Sequence, residues 1–226
     1  DDRYVIDSKT SKLYELQDKI LDIVFEQENI FYLTGGTALS RFYKEKRYSD
    51  DLDFFTHDND RFNVAVRKLK FAIEKVYSVI VEVESKDFIR FLVSDTLQVD
   101  FVNDRVYRYG STNNISNRKI DNIENILANK LTAVVGRDNP KDIFDIYLIN
   151  TLYEVDWKKI LDIAHEKAGF ASEDLLVRLK TFPVSLLNNI NLVDKDFLNN
   201  FNYEYPKIIE KIKETSTEKD FKWDFF

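Results

Sequence analysis

Two short strings in this sequence carry residue types that can do chemistry together. The first, Leu33-Thr34-Gly35-Gly36-Thr37-Ala38-Leu39, sets a glycine pair between an apolar run and a helix-like run. The second, Arg47-Tyr48-Ser49-Asp50-Asp51-Leu52-Asp53-Phe54-Phe55, sets two carboxylates one residue apart in an apolar stretch. A strand that runs into Gly-Gly and then a helix presents unpartnered backbone N–H groups, where phosphate oxygens bind. Glycine suits such a turn because a Cβ hinders close approach of the backbone to a phosphate. On a strand, alternate side chains share a face, so Asp51 and Asp53 point one way while Leu52 and Phe54 enter the core. Carboxylates roughly 6–7 Å apart along a strand suit Mg²⁺, with Mn²⁺ as its substitute, because such ions take carboxylate and phosphate oxygens. Gly-Gly alone is commonly a plain turn, and Asp-x-Asp alone a polar strand face. In this order they set a phosphate cradle beside a metal site, the minimum equipment for nucleotide transfer.

Elements must exist to position these residues. Leu13, Leu16, Ile20, Ile23 and Val24 recur at helical spacing and predict a helix over 12–27. A strand over 30–33, a helix over 37–46, a strand over 51–56 and a helix over 60–77 follow. The β-rich runs 79–84, 88–93 and 97–102, with short polar breaks, predict consecutive antiparallel strands. Asp100, in Leu97-Gln98-Val99-Asp100-Phe101-Val102, is the best candidate for a third carboxylate of the acidic cluster. Its alternative is an exposed strand residue, and Asp95, in a turn, is the poorer choice. Residues 111–117 form a polar stretch without apolar periodicity, read as a linker or loop. Beyond it the chain predicts helices over 123–135, 141–152, 157–167 and 205–213. The reading is a mixed nucleotide-handling domain over 1–120 and a helical domain over 121–226. The aromatic end, Phe221-Lys222-Trp223-Asp224-Phe225-Phe226, is expected to pack on the body.

Composition bounds the function classes. With 226 residues, 18 Phe and 12 Tyr, the chain builds a sizeable core without Met or Cys. The absence of Cys removes disulfides, thiolate metal sites and cysteine nucleophiles. No run of about 18 apolar residues exists, so no membrane helix is expected, and Asp1-Asp2-Arg3 does not open a signal peptide. The expected location is the cytoplasm. A net charge of −7 argues against broad nucleic-acid binding. Between Asn103 and Lys141, however, Arg105, Arg108, Arg118, Lys119, Lys130, Arg137 and Lys141 outnumber the acids, either as a phosphate-facing surface or as a mixed solvated face. His57 and His165 lie in no ligand pattern, and no Walker A loop, serine nucleophile motif or zinc pattern is present.

The Gly-Gly-Thr-Ala-Leu … Arg-x-Ser-x-Asp-Leu-Asp-Phe-Phe string resembles the AbiEii-type nucleotidyltransferases of bacterial toxin–antitoxin and abortive-infection systems, a branch of the polymerase-β-like superfamily. A later string, Asn129-Lys130-Leu131 … Arg137-Asp138-Asn139-Pro140-Lys141-Asp142-Ile143-Phe144-Asp145-Ile146-Tyr147-Leu148, resembles that family's downstream motifs. The resemblance implies an α+β fold: a polymerase-β-like core of mixed sheet with flanking helices, followed by a helical C-terminal domain. It implies a toxin role, a cognate antitoxin and a nucleoside triphosphate substrate, with tRNA as a candidate acceptor. It also implies that Lys130 counters the triphosphate charge and that Asp142 serves the site. On the residues alone, Lys130 could equally snorkel outward, and Asp142 could simply favour a helix start after Pro140. Arg47, Arg137 and Lys141 are candidate phosphate contacts, together with Gly35, Gly36 and Thr37. Ser49 either touches phosphate or shapes the turn.

The expected reaction is attack of an acceptor hydroxyl on the α-phosphate, with Asp51, Asp53 and Asp100 as metal ligands and pyrophosphate leaving. A protein hydroxyl or a small molecule such as an aminoglycoside remains an alternative acceptor. A non-catalytic module on the same fold would be expected to have lost a carboxylate. A nucleotide-sugar glycosyltransferase would show a longer βα repeat ahead of the motif.

Overall fold

The computed structural model describes residues 8–220; the aromatic end expected to pack on the body lies outside them. The chain divides into two compact units, Asp1–Arg105 with Ser111–Asn122, and Val106–Gly110 with Ile123–Phe226.

The first unit is built on one seven-stranded mixed sheet, in the order β3-β4-β5-β2-β1-β7-β6. In chain order its elements are α1 (Ser8–Gln27), β1 (Tyr32–Thr34), α2 (Gly35–Ala38), a π-helical segment (Leu39–Tyr43), β2 (Leu52–His57), α3 (Phe62–Glu74), β3 (Val79–Glu84), β4 (Phe88–Val93), β5 (Leu97–Asp104), β6 (Asn113–Ile115) and β7 (Arg118–Ile120). Strands β3, β4 and β5 form the expected antiparallel meander, while β5 pairs with β2 in parallel. Alternation along β2 does what the pattern requires: Leu52, Phe54 and Thr56 are buried, and Asp51, Asp53 and Phe55 are half-buried. Phe54 stacks on Phe101 of β5 at 5.4 Å between ring centroids and takes the edge of Phe25 of α1 at 5.9 Å. Phe31 links Phe101 to Phe62 of α3. These rings fix the height and register of β2 from its core face, at about 1.5–3 kcal/mol for each large apolar side chain fully buried.

Two local expectations are corrected. The polar stretch 111–117 is no loop: β6 and β7 form a hairpin in which Ile115 pairs with Arg118. Ser116 and Asn117 make its two-residue turn with φ of 51° and 58°, the left-handed pair such turns need. The helix expected over 37–46 is instead one short α-turn that widens into the π-segment and ends at Tyr43.

The second unit is helical: α4 (Ile123–Gly136), α5 (Pro140–Leu152), α6 (Trp157–Lys167), α7 (Ser172–Thr181), a 3-10 turn (Val184–Asn189) and α8 (Phe201–Asp220). Helix α4 packs on α5, α6 and α7, and α8 packs on α5, α6 and α7. Sequence patterning missed α7 and started α8 late, because Pro206 lies inside that helix and reads as a boundary. The stretch Val106–Gly110 is tied to this unit where Lys167, itself buried, donates to the Tyr107 carbonyl at 2.8 Å. The mixed sheet with flanking helices and the helical second part are the α+β architecture that the resemblance implied.

Candidate active site

The first unit gathers the acidic residues at the middle of its sheet. Asp53 of β2 is in register with Asp100 of β5 and with Thr34 of β1, so all three side chains rise from one face of neighbouring strands about 4.8 Å apart. Asp51 shares the outward alternation of Asp53. Beyond Asp100 the row continues to Arg90 of β4.

The glycine pair adjoins this row, and both glycines are closely approached by side chains. Gly35 has φ of 73°, and a Cβ there would lie 2.6 Å from the Asp53 Oδ2. Glycine is required because the Asp53 carboxylate lies against its Cα. A Cβ on Gly36 would run into Nη2 of Arg47 and lie 3.3 Å from the Ser49 Oγ. The close neighbours of both glycines are therefore side chains of the second motif.

Thr37, Arg47 and Ser49, expected to face a phosphate, are 0%, 2% and 1% exposed. They knit the segment ahead of β2 to its surroundings. Thr37 Oγ1 lies 2.8 Å from the Ser49 Oγ and donates to the Asp51 carbonyl. Ser40 donates to the Arg47 carbonyl at 2.6 Å, and the Arg47 Nη1 donates to the Tyr48 carbonyl at 3.0 Å. From α1, Gln17 donates to the Ser49 carbonyl at 2.9 Å, and the Ser49 N–H donates to the Tyr14 hydroxyl at 3.2 Å. Burial pushes the Tyr14 pKa up, so its hydroxyl remains a neutral partner. Of the two roles read for Ser49, shaping the turn is the one its contacts support. The Arg47 guanidinium lies against Gly36, on the side where a Cβ would project.

Asp100 is 6% exposed, and both of its oxygens are engaged: Oδ1 accepts from the Arg90 Nε and Oδ2 from the Arg90 Nη2, each at 2.7 Å. Among the described residues no three His, Cys, Asp or Glu side chains form a group able to hold a metal ion. In this structure Arg90 holds both oxygens of the third expected carboxylate, Asp100. Asp51 and Asp53 still fit Mg²⁺, which is commonly bound by one or two carboxylates, substrate phosphates and water.

Two participants escaped the sequence reading. Arg90 is one. Asp121 is the other: fully buried, it accepts from the Thr34 hydroxyl at 2.7 Å and fixes the strand residue just before the glycine pair. Arg90 was legible in principle. A hairpin turning at Ser94-Asp95-Thr96 pairs Val93 with Leu97, and counting back from that pair brings Arg90 opposite Asp100. Asp121 had no such signal, since its partner strand is distant in sequence.

In the second unit, Lys130 of α4 is turned inward rather than outward. It is 11% exposed and lies 3.1 Å from Asp142 and 2.8 Å from Asp145, one turn apart on α5. Arg137 also holds Asp142, its Nε donating to Oδ2 at 2.8 Å and its Nη2 to Oδ1 at 3.1 Å. Asp142 is fully buried. The helix start itself is capped by Asn139, whose side chain accepts from the Lys141 N–H at 3.0 Å, so Asp142 is not the cap. Lys141 sits half-buried in the first turn of α5.

The cations between Asn103 and Lys141 do not form one uncompensated surface. Arg105 pairs with Asp58 and Asp87, Arg118 with Asp18 and Asp22, and Lys130 and Arg137 with the α5 carboxylates. Lys119 donates to the Asn29 carbonyl at 2.5 Å.

The strand–Gly-Gly–Asp-x-Asp arrangement on a mixed sheet is the one expected of a nucleotidyltransferase. Residues 20–225 match the family described as nucleotidyl transferase AbiEii toxin, type IV toxin–antitoxin system, and the chain belongs to that family. No curated protein matches the chain. In fold it is similar to JHP933 from Helicobacter pylori, with a TM-score of 0.58 and 21% identity over 97% of this chain and 98% of that one. It is also similar to MenT4, a nucleotidyltransferase toxin from Mycobacterium tuberculosis, with a TM-score of 0.52 and 13% identity over 92% of both chains. The chain is accordingly an enzyme, a nucleotidyltransferase of the toxin type. None of the described helices is long and apolar enough to cross a membrane.

Proposed function

We propose that this enzyme moves a nucleoside monophosphate from a nucleoside triphosphate to an acceptor hydroxyl on RNA, in the first instance the end of a tRNA, and that it needs Mg²⁺ to do so. The observation that carries the reading is the register of Asp53 with Asp100, with Asp51 on the same outward alternation and Gly35 against the Asp53 carboxylate. Asp51 and Asp53 would hold Mg²⁺, which when bound would supply positive charge to the phosphoryl oxygens. The chain's own residues do the rest. The Gly35–Gly36 turn, with the Arg47 guanidinium close to Gly36, is assigned phosphate oxygens at its backbone. Asp100 lies beside Asp53 and is assigned the proton of the attacking hydroxyl, or a ligand position, once Arg90 releases it. Lys130, Arg137 and Lys141 are assigned phosphate charge on the strength of the family resemblance.

The family's type IV toxin–antitoxin description supports a cognate antitoxin as partner. The RNA acceptor rests on that family context alone. The paired cations and the net charge of −7 favour a smaller or protein acceptor as the second reading.

The test incubates the protein with each nucleoside triphosphate radiolabelled at the α-phosphate, Mg²⁺ and total bacterial RNA, beside an Asp51→Asn/Asp53→Asn control. Label on RNA of tRNA size, absent from the control, supports the whole reading. Label on protein or on a small hydroxyl compound keeps the chemistry and replaces the acceptor. Label equal in enzyme and control removes the assignment of Asp51 and Asp53.

A further inference from the structure

The Arg90–Asp100 pair is more than a cross-strand contact. A sheet ion pair needs two residues, whereas here the guanidinium ends a row in which Asp100 stands beside a second carboxylate, Asp53. Asp100 is 6% exposed, and both of its oxygens are held at 2.7 Å in the planar two-pronged geometry of arginine. Gln98 adds a longer bond at 3.3 Å to Oδ2. Hydrogen bonding to Asp100 raises the Arg90 pKa, and the charges of Asp100, Glu82 and Asp53 add to it. Two neighbouring aspartates on one sheet face repel each other unless a cation offsets them. Arg90 supplies that cation from within the chain, and its side chain, about one-third exposed, has room to leave.

We propose that Arg90 is the built-in counter-cation of the Asp53–Asp100 row and gives up Asp100 when a divalent cation is loaded, so that it sets the ion concentration the enzyme requires. The inference rests on the reading of Asp51 and Asp53 as metal ligands. Arg90 acts here through Asp100 and is a positioning residue. Its removal frees two oxygens and takes one positive charge from the ion's surroundings, and both changes strengthen cation binding.

The experiment titrates Mn²⁺ into the protein without nucleotide and counts free ion by electron paramagnetic resonance, so that turnover plays no part. Arg90→Gln is expected to bind Mn²⁺ about tenfold more tightly than the parent, a difference of about 1.4 kcal/mol. Arg90→Lys, which keeps the charge and loses the fork, is expected to move the same way by less. It serves as the working variant if Arg90→Gln does not fold. In an Asp100→Asn background the Arg90→Gln change should shrink to well under half its size, because the two residues act as one unit. Equal Mn²⁺ affinity in the parent and both Arg90 variants overturns the inference while leaving the metal reading intact. Mn²⁺ binding that persists unchanged in Asp51→Asn/Asp53→Asn overturns the metal reading itself. Absence of binding in the parent and in every Arg90 variant overturns both.

Discussion

Replacing Gly35 by alanine tests whether the glycine pair exists to admit the Asp53 carboxylate. Gly35 has φ of 73°, and its added Cβ would lie 2.6 Å from the Asp53 Oδ2, where ordinary contact begins at 3.4 Å. The carboxylate therefore has to retreat by about 0.8 Å, since apolar carbon is not tolerated closer than its contact distance. Holding an L-residue in the left-handed region costs about 1–2 kcal/mol. Crowding a packed site adds about 1–3 kcal/mol. The carboxylate is the end of a side chain and can give way, so a total of about 2–3 kcal/mol is expected from these two terms. Activity should fall further, because a misplacement of about 1 Å at a reacting group costs on the order of a hundredfold. Urea unfolding gives the stability, and initial rates of label transfer give the activity. In an Asp53→Ala background the crowding is gone, and Gly35→Ala should cost only the backbone share of about 1–2 kcal/mol. Gly136→Ala, at the end of α4 with nothing within 4 Å of the new Cβ, serves as the control and should change stability by less than about 1 kcal/mol. A Gly35→Ala protein with the parent's unfolding midpoint and rate would refute the reasoning.

Lys130→Met leaves Asp142 and Asp145 buried with one cation fewer, and should destabilise the helical unit by about 3–5 kcal/mol; thermal unfolding reads this directly, and an unchanged midpoint would show that the pair is dispensable. Tyr205→Phe removes the 2.9 Å bond to the Leu179 carbonyl and should cost about 1 kcal/mol at neutral pH. Burial raises the Tyr205 pKa above its ordinary value near 10. A raised folded-state pKa gives stability that is complete below the unfolded value and is lost as pH rises through the folded one. The parent should therefore lose stability above pH 10 more steeply than Tyr205→Phe, by at most about 1.4 kcal/mol per pH unit; parallel curves would contradict the assignment.

Much of the site was legible because its geometry is local. The Asp51-Leu52-Asp53 alternation and the apolar neighbours Phe54 and Phe101 follow from the period of a strand. The β3–β4–β5 meander follows from three apolar runs with short breaks. What stayed hidden depends on partners far apart in the chain. Arg47 reads as a phosphate ligand in sequence, yet its guanidinium is used against Gly36 and is buried. Lys130 reads in sequence either as an outward lysine or as a counter to phosphate charge, yet α5 offers it two carboxylates. The β6–β7 hairpin was invisible because its turn, Ser116-Asn117, adopts left-handed conformations without a glycine to announce them. The basic stretch between Asn103 and Lys141 was real in composition and largely neutralised in space, since the carboxylates that pair its arginines lie outside it, on α1, in the loops before α3 and β4, and on α5.

The most direct test of the central claim compares transfer of label from the α- and γ-phosphates of the same nucleoside triphosphate, with Mg²⁺, by the parent and by a folded Asp51→Asn/Asp53→Asn protein. The account predicts that α-label becomes covalently attached to an acceptor, that γ-label leaves as pyrophosphate, and that both events vanish in the variant and on chelation of the metal. Retention of γ-label on the acceptor, or undiminished α-transfer by the variant, would contradict it.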